Sequence, residues 1–252
     1  MMTFRDLHKQ DKPLLLANVW DVPSTKIAEK LNYQAIGTSS AAIAALFGYR
    51  DGEDMTFSEM EYAVKRIASH ITKPLSVDIE SGYSREPGKI AEHIRVLAEA
   101  GASGINIEDS IVNGKRTLSD SAIFAERLKK ITLALQRENI DIFINVRTDT
   151  FILLQENVIE ETMSRISMYK NAGADGIFTP GVVNKEDIKM IAESTDLPLN
   201  VMCMPGLPDF QTLSCLGVKR ISMGNFLFNK MYDSYTEMLD NVTSANSFDH
   251  IF

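Results

Sequence analysis

The 252-residue chain contains few of the residues that staple small folds together or bind zinc. It has two cysteines, Cys203 and Cys215, and four histidines. The cysteines form no Cys-x-x-Cys pair and the histidines lack zinc-ligand spacing, which excludes a disulfide scaffold and argues against a zinc site. Long apolar runs are also missing, because no window approaches the roughly 18 residues that a membrane-spanning helix requires.

Positive charge is in deficit as well. Lys and Arg number 26 against 34 Asp and Glu, which gives a formal net charge of −8. A nucleic-acid-binding protein needs a basic surface to neutralise phosphates, so the acidic balance argues against this class. The first nine residues contain no apolar stretch typical of a secretory signal. We therefore expect a cytoplasmic protein with reduced thiols and without a membrane or nucleic-acid partner.

One local pattern recurs along the chain and indicates alternating helices and strands. A helical stretch ends at a Gly, a few further residues follow, and a short apolar run comes next. This pattern occurs at residues 100–105, 172–177 and 216–221. Glycine suits the left-handed backbone just past a helix end, where a Cβ is unfavourable. The apolar run is typical of a parallel strand that is buried on both faces.

Extending this pattern predicts eight strands, each followed by a helical stretch. The predicted strands are residues 14–18, 35–39, 75–79, 104–107, 142–146, 176–179, 199–202 and 220–223. The clearest predicted helices are residues 87–100, 119–137, 158–171 and 185–193. Eight alternating units favour an α/β protein with a (β/α)₈ TIM-type barrel as a single domain over residues 1–252. An open doubly wound sheet is the alternative.

Acidic residues gather where the predicted strands end, which is the face that carries the active site in barrel enzymes. Asp78 and Glu80 end the third strand and Glu108 the fourth, and Arg147 and Asp149 end the fifth. Carboxylates crowded around one arginine repel one another unless a cation joins them, and hard oxygen ligands suit Mg²⁺. A structural alternative exists for each, since Arg147 could pair with Asp149 and a single carboxylate could belong to a surface loop.

At these residues the sequence resembles the phosphoenolpyruvate mutase/isocitrate lyase superfamily over nearly its whole length. Residues 78–83, which read Asp-Ile-Glu-Ser-Gly-Tyr, are similar to the family's D-x-D-x-G-Y metal motif, with Glu as the second acid. The other matching segments are residues 33–41 with 48–51, residues 107–109 and residues 146–149. Motifs in the family's order and at barrel spacing form a specific signal, whereas any one alone would be weak.

The resemblance implies a metal site and a substrate site. Asp78 would be the direct ligand of Mg²⁺, with Mn²⁺ as the alternative metal. The residues implied to hold the metal's water ligands are Glu80, Glu108 and Asp51. The residues implied to bind the substrate's carboxylate or phosphonate are Ser39, Ser40 and Ala41, and Arg147 would offset the charge of an oxyanion. Because family members are commonly dimers or tetramers, the resemblance also implies a homodimer or homotetramer.

The loop after the fourth strand departs from the family's pattern. Lyase branches carry K-[KR]-C-G-H there, with the cysteine as acid/base, whereas residues 113–119 read Asn-Gly-Lys-Arg-Thr-Leu-Ser. Lys115 and Arg116 match, but Thr117 replaces the cysteine. Threonine does not titrate near neutral pH, so isocitrate cleavage by the usual route is not expected. The catalytic candidates are Arg147, Lys115 and Glu108.

These features favour a Mg²⁺-dependent lyase, or a hydrolase, that cleaves a C–C bond of a small α-keto or α-hydroxy carboxylate through a metal-stabilised enolate. One alternative is an enzyme of P–C bonds, of the phosphoenolpyruvate mutase or phosphonopyruvate hydrolase type. Another is a non-catalytic barrel that binds a metabolite. The C-terminal segment carries an apolar face that covers either its own barrel or a second subunit. This face is formed by Met231, Tyr235, Met238 and Leu239.

Overall fold

Eight parallel strands close into a barrel in the computed structural model, which describes residues 2–252. The strands of the protein are β1 (Leu14–Val19), β2 (Ala35–Thr38), β3 (Leu75–Asp78), β4 (Ala102–Glu108), β5 (Ser110–Asn113), β6 (Lys115–Leu118), β7 (Phe143–Arg147), β8 (Gly176–Phe178), β9 (Leu199–Met202) and β10 (Val218–Ser222). The barrel order is β1-β10-β9-β8-β7-β4-β3-β2, and β2 pairs with β1. The predicted (β/α)₈ architecture is confirmed, and the open-sheet alternative is wrong.

Helices surround the barrel. They are α1 (Phe4–Leu7), α2 (Val22–Lys30), α3 (Ser40–Leu46), α4 (Phe57–Ala68), α5 (Pro87–Glu99), α6 (Ser121–Arg137), α7 (Thr150–Leu153), α8 (Val158–Asn171), α9 (Lys185–Glu193), α10 (Phe210–Cys215) and α11 (Phe226–Ala245), with a 3₁₀ turn at Asp249–Ile251. Capping explains how several begin, as in α4, where Thr56 and Glu59 form a capping box. Within residues 2–252, no helix combines the length and apolarity needed to cross a membrane.

The N-terminal end of the barrel is filled by apolar side chains and closed by α1. Phe4 of α1 packs with Leu14, Leu16 and Phe143 in one buried cluster. A Cβ at Gly104 of β4 would lie 2.5 Å from Phe4 Cε1, so the missing side chain there lets α1 approach the barrel. The opposite end, where the strands finish, is therefore the end that is left for polar side chains and a ligand.

The hairpin of β5 and β6 was not among the predicted strands. It is antiparallel, and Asn113 and Lys115 pair across a turn at Gly114, whose φ is +71°. A Cβ at Gly52 would lie 2.6 Å from Val112 Cγ2, so the loop after α3 packs directly against this hairpin. The Asn113-Gly114 step is a hairpin-turn signal that the sequence does contain. The hairpin fixes which side chains of residues 110–118 face the strand ends.

His8 makes folding sensitive to acid. Its imidazole stacks on Phe143 at 4.3 Å, and Nδ1 lies 2.9 Å from the Phe4 carbonyl oxygen. Burial, together with the charge of Arg220, lowers the pKa of His8 from 6.5 to about 3. Below about pH 6.5 the unfolded chain therefore binds a proton that the folded protein excludes, and stability falls as the pH drops towards 3.

We expect this group to remove about 2 kcal/mol of stability at pH 5 relative to pH 7. His8→Phe keeps an aromatic ring in the stack and eliminates the titration. Urea unfolding of both proteins at the two pH values measures the difference. The variant should lose less stability on acidification than the wild type, and an equal loss in both would contradict a neutral, buried His8.

Candidate active site

A cavity of about 140 Å³ lies at the C-terminal ends of the barrel strands. This is smaller than the pockets that hold drug-sized ligands, so it suits a small metabolite. The predicted site residues that line it are Ser39, Ser40, Ala41, Asp51, Asp78 and Arg147. The structure thus brings the predicted substrate-binding residues to the same place as two of the predicted metal-site acids.

Asp78 at the end of β3 is held by the neighbouring strand β2 and by the start of α3. Ser40 Oγ donates a hydrogen bond to Asp78 Oδ2 at 2.8 Å, and the Asp78 backbone N–H donates to Thr38 Oγ1 at 2.9 Å. Burial raises the pKa of Asp78 despite the opposing charge of Arg147. A half-buried carboxylate that receives one short hydrogen bond from a hydroxyl can still accept a cation.

Glu80 lies just past β3 in a strained turn. Its φ is +51°, which is unusual for a residue other than glycine and is typical of functional sites. Tyr83 Oη donates to Glu80 Oε1 at 3.3 Å, while Glu80 Oε2 is buried without a hydrogen-bond partner. Burial raises the pKa of Glu80 to about 9, and the charges of Asp51 and Glu108 raise it as well. This carboxylate lacks a compensating positive charge.

Glu53 anchors the turn that carries Glu80, although the sequence did not single it out. It accepts hydrogen bonds from Ser81 Oγ at 2.8 Å and from the Tyr83 backbone N–H at 2.7 Å. It also pairs with Arg85 Nη2 at 2.9 Å. The backbone of Glu53 is left-handed, with a φ of +65°, and this could not be predicted because glutamate is uncommon in that region. Glu53 therefore supports the site from the loop after α3.

Arg147 at the end of β7 is gripped by two acids. Its Nε and Nη2 donate to Asp149 at 2.6 and 3.1 Å, and its Nη1 lies 3.1 Å from Glu108 Oε2. Although burial lowers the pKa of Arg147, the charges of Glu108 and Asp149 raise it more, so the guanidinium stays protonated. Its guanidinium carbon lies 5.9 Å from the centre of the Phe178 ring. The predicted Arg147–Asp149 pair exists, and it positions an arginine that also lines the cavity.

The hairpin sends Arg116, and not Lys115, towards the acids. Arg116 pairs with Glu108, with Asp51 at 2.8 Å and with Asp149 at 3.3 Å. Lys115 is exposed and makes no ion pair within residues 2–252. Because side chains alternate along a strand, neighbours in β6 face opposite sides, and only one of the two basic residues reaches the site. The structure therefore does not bring Lys115 into the candidate catalytic group.

Asp109 supports the site from behind and lies outside the cavity. Its carboxylate accepts hydrogen bonds from Thr148 Oγ1 and Tyr169 Oη, both at 2.7 Å, and from Arg165 Nη1 at 2.9 Å. It also accepts from the Asp149 backbone N–H at 3.2 Å. Asp109 thus fixes the backbone of the residue that orients Arg147, which is a positioning role.

Seven residues that the sequence had not assigned to the site also line the cavity: Asn18, Asn106, Phe178, Met202, Ser222, Gly224 and Asn225. Asn106 could have been found, because it lies two residues before Glu108 on the same strand and alternate residues share a face. Phe178 ends β8 and could have been found from its place at a strand end. Asn225 follows a strand end by three residues, and no signal distinguishes it from other loop residues.

The acids fit a divalent cation held partly through water. Within residues 2–252, no three His, Cys, Asp or Glu side chains form a cage that could hold a metal ion by themselves. Mg²⁺ does not require one, since it usually keeps several waters and binds one or two carboxylates. Asp78 lines the cavity, and its charge helps to raise the pKa of Glu80, whose Oε2 has no hydrogen-bond partner. A buried carboxylate oxygen without a donor is what a hard cation would satisfy.

A (β/α)₈ barrel with a small, acid-lined cavity at its strand ends is an enzyme architecture. The sequence profile described as phosphoenolpyruvate phosphomutase matches residues 4–243, and the chain belongs to this family. The predicted superfamily is thereby confirmed.

Relatives of known sequence extend over most of the chain. It is 30% identical over 230 residues to an oxaloacetate decarboxylase of Pseudomonas fluorescens, covering 88% of this chain and 78% of the relative. It is 36% identical over 224 residues to an uncharacterized protein of Mycobacterium tuberculosis, covering 89% and 82%. A solved structure of a candidate phosphonomutase from Burkholderia cenocepacia J2315 is 35% identical, with a TM-score of 0.89 and coverage of 94% and 97%.

These relationships confirm the prediction of an enzyme of the lyase class in this superfamily. Superfamily enzymes of this type generally depend on a divalent metal ion, in agreement with the acids gathered at the strand ends.

Proposed function

We propose that the protein is a Mg²⁺-dependent lyase that removes CO₂ from a small α-keto dicarboxylate, with oxaloacetate as the first candidate. The decarboxylase relative from Pseudomonas fluorescens supports the substrate class. The cavity of about 140 Å³ supports a small substrate. The chain would act as one barrel domain over residues 1–252, in the cytoplasm.

The observation that carries this proposal is the chemistry of the cavity wall. The titratable residues among the described residues that line it are Asp51, Asp78 and Arg147. Thr117, in the place of the family's acid/base cysteine, is exposed and pairs with Ile111 in the hairpin. Cleavage of a hydroxy acid needs a base for the hydroxyl proton, and hydrolysis needs a base for water. Decarboxylation needs neither, because CO₂ leaves without a proton.

The residues divide into two groups by the partner they would hold. Asp78 would bind the metal directly, and Glu80, Glu108 and Asp51 would hold its water ligands. When bound, the metal supplies a Lewis acid that stabilises negative charge on the keto oxygen. Ser39, Ser40 and Ala41 would hold the carboxylate next to the keto group, where the first N–H groups of α3 have no partner within the helix.

Arginine and apolar side chains of the cavity would each assist the breaking of the C–C bond. The C–C bond to the departing carboxylate breaks, its electron pair forms the C=C bond of an enolate, and the carbonyl π pair moves to the keto oxygen as CO₂ leaves. Water then gives a proton to the enolate carbon, which yields pyruvate and hydroxide. Arg147 would offset the negative charge on this oxygen. Phe178 and Met202 line the cavity with apolar surface, which limits water around the departing carboxylate.

The test is the product pattern with oxaloacetate and Mg²⁺. We expect pyruvate and CO₂ in equal amounts, without acetate or oxalate, and loss of turnover on chelation of the metal. Thr117→Ala should retain wild-type kcat and KM, because Thr117 is exposed. A large loss of kcat in Thr117→Ala would contradict the absence of an acid/base role for this position.

Other product patterns point to the alternatives. Acetate and oxalate would indicate hydrolysis. Turnover of phosphonopyruvate, measured by ³¹P NMR, would indicate an enzyme of P–C bonds. The relationship to a candidate phosphonomutase is the reason to test this second activity. Carboxylate binding without turnover of either compound would contradict the proposed activity and favour a metabolite-binding barrel.

We also propose that the protein forms a homodimer or homotetramer through α11. Phe228 is the buried residue of this helix. Met231, Tyr235, Met238 and Leu239 are 44–52% exposed, so the protein's own barrel covers only about half of this apolar face. Exposed apolar surface of this extent marks an interaction site. Light scattering of the purified protein would measure the assembly.

A further inference from the structure

A buried arginine lies beneath the cavity, and the proposed reaction does not account for it. Arg220 of β10 is 1% exposed. Its Nη2 donates to Ser76 Oγ at 3.3 Å and to Asn106 Oδ1 at 3.2 Å, whereas Nε and Nη1 have no partner within residues 2–252. No carboxylate forms an ion pair with it in the same range. Burying an unpaired guanidinium is unfavourable, so its retention calls for a specific role.

Three asparagines connect this arginine to the floor of the cavity. Asn200 Nδ2 donates to the carbonyl oxygens of Val201 at 2.7 Å and Arg220 at 3.3 Å. A carbonyl oxygen can only accept, which fixes the amide of Asn200 with its oxygen towards Asn145. Asn145 Nδ2 then donates to Asn200 Oδ1 at 3.2 Å and to Asn106 Oδ1 at 2.9 Å.

The direction of these hydrogen bonds determines the orientation of Asn106. Its Oδ1 accepts from Asn145 on one side and from Arg220 on the other. A guanidinium can only donate, so the flipped amide would place N–H groups against N–H groups. Asn106 lines the cavity and is 8% exposed. Its amide nitrogen is therefore the end that is left to face the cavity.

We propose that Asn106 is a substrate-binding residue whose Nδ2–H donates a hydrogen bond to an oxygen of the bound keto acid, and that Arg220 is the positioning residue that holds this donor towards the cavity. The inference rests on the proposed decarboxylase function. Asp51 and Asp78 can only accept hydrogen bonds when they are ionised. A neutral donor beside them therefore gives an anionic ligand a hydrogen bond that these two carboxylates cannot give. The positive charge of Arg220 below the floor acts in the same direction.

Binding of oxalate, which resembles the enolate of pyruvate, tests the proposal in the presence of Mg²⁺. Asn106→Ala should weaken oxalate binding about ten- to a hundredfold, since a hydrogen bond to a charged group is lost. Arg220→Met should weaken it about tenfold by releasing the amide, and should add little to Asn106→Ala in the double variant. Arg220→Lys, which can still donate to Asn106 Oδ1, should recover part of the loss. Full additivity of the two single losses, or unchanged affinity in Asn106→Ala, would overturn the proposal.

A measurement on the ligand-free wild type is independent of whether oxaloacetate is the substrate and of whether Arg220→Met folds. In ¹⁵N NMR, the side-chain amide protons of Asn106 should exchange with water much faster than those of Asn145 and Asn200, which are enclosed in the barrel. Equal protection of all three would overturn the proposed orientation. If the wild type neither binds oxalate nor turns over oxaloacetate, the proposed function fails, and this exchange measurement still decides the orientation of Asn106.

Discussion

Asp78→Asn should lower kcat/KM for oxaloacetate by about 10²- to 10³-fold, because it removes the charge that would bind the metal directly. The side chain is half-buried at the end of β3, and it has no ion-pair partner within the described range of residues 2–252. Asparagine keeps the shape and can still accept the hydrogen bond from Ser40 Oγ. The affinity for Mn²⁺ or Mg²⁺, measured by calorimetry, should fall together with activity.

The same substitution should leave the fold at least as stable as the wild type. Burial raises the pKa of Asp78, so the ionised form destabilises the folded protein near neutral pH, and a neutral amide removes this penalty. Active sites commonly retain such unfavourable groups for function. Stability gained together with activity lost would separate a metal-binding role from a structural one.

Asp54→Asn is the matched control. Asp54 pairs with Arg50 at 2.8 Å on the surface of the loop after α3 and does not line the cavity. Its removal should leave both kinetics and metal affinity unchanged. If the two variants lose activity to the same extent, or if Asp78→Asn retains metal affinity, Asp78 is not the metal ligand.

The barrel could be predicted because its strands are buried on both faces. Short apolar runs after Gly101, Gly173 and Gly217 have few alternatives to a parallel strand, and the observed strands begin within two residues of the predicted ones. The β5–β6 hairpin was missed because its residues are half-exposed and carry charges, so no apolar run marks it. Its Asn-Gly turn is the signal that could have revealed it.

The candidate site was predictable to the extent that strand ends meet at one face. Asp78, Ser40 and Arg147 lie at or just past the ends of three strands and line one cavity. This convergence can be predicted from the strand ends alone, without knowledge of side-chain geometry. The selection of Arg116 over Lys115 depends on the hairpin, which tertiary packing decides. The layer below could have been inferred, since Asn106 and Asn145 precede Glu108 and Arg147 by two residues. Only the packed structure shows which acids pair with an arginine and which, like Glu80, have no arginine partner among the described residues.

Arg165→Met should destabilise the protein by about 3–5 kcal/mol, because it leaves the Asp109 carboxylate buried without its positive partner. Asp109 is fully buried and receives hydrogen bonds from Thr148, Tyr169 and Arg165. The neutral donors would remain, but they do not cancel a charge inside the barrel wall. Because the Asp149 backbone N–H also donates to Asp109, the loss should disturb the acid that orients Arg147.

Urea unfolding at neutral pH measures the effect, with Arg95→Met as the control. Arg165 pairs with Glu161, four residues before it in α8, at 2.7 Å as well as with Asp109. Arg95 makes a similar pair with Glu99 at 2.6 Å, but on the surface, so its loss should leave the unfolding midpoint nearly unchanged. Adding Asp109→Asn to Arg165→Met should recover part of the lost stability, since the uncompensated charge is then gone. If the double variant is no more stable than Arg165→Met, the destabilisation comes from lost packing of the arginine side chain and not from the buried charge.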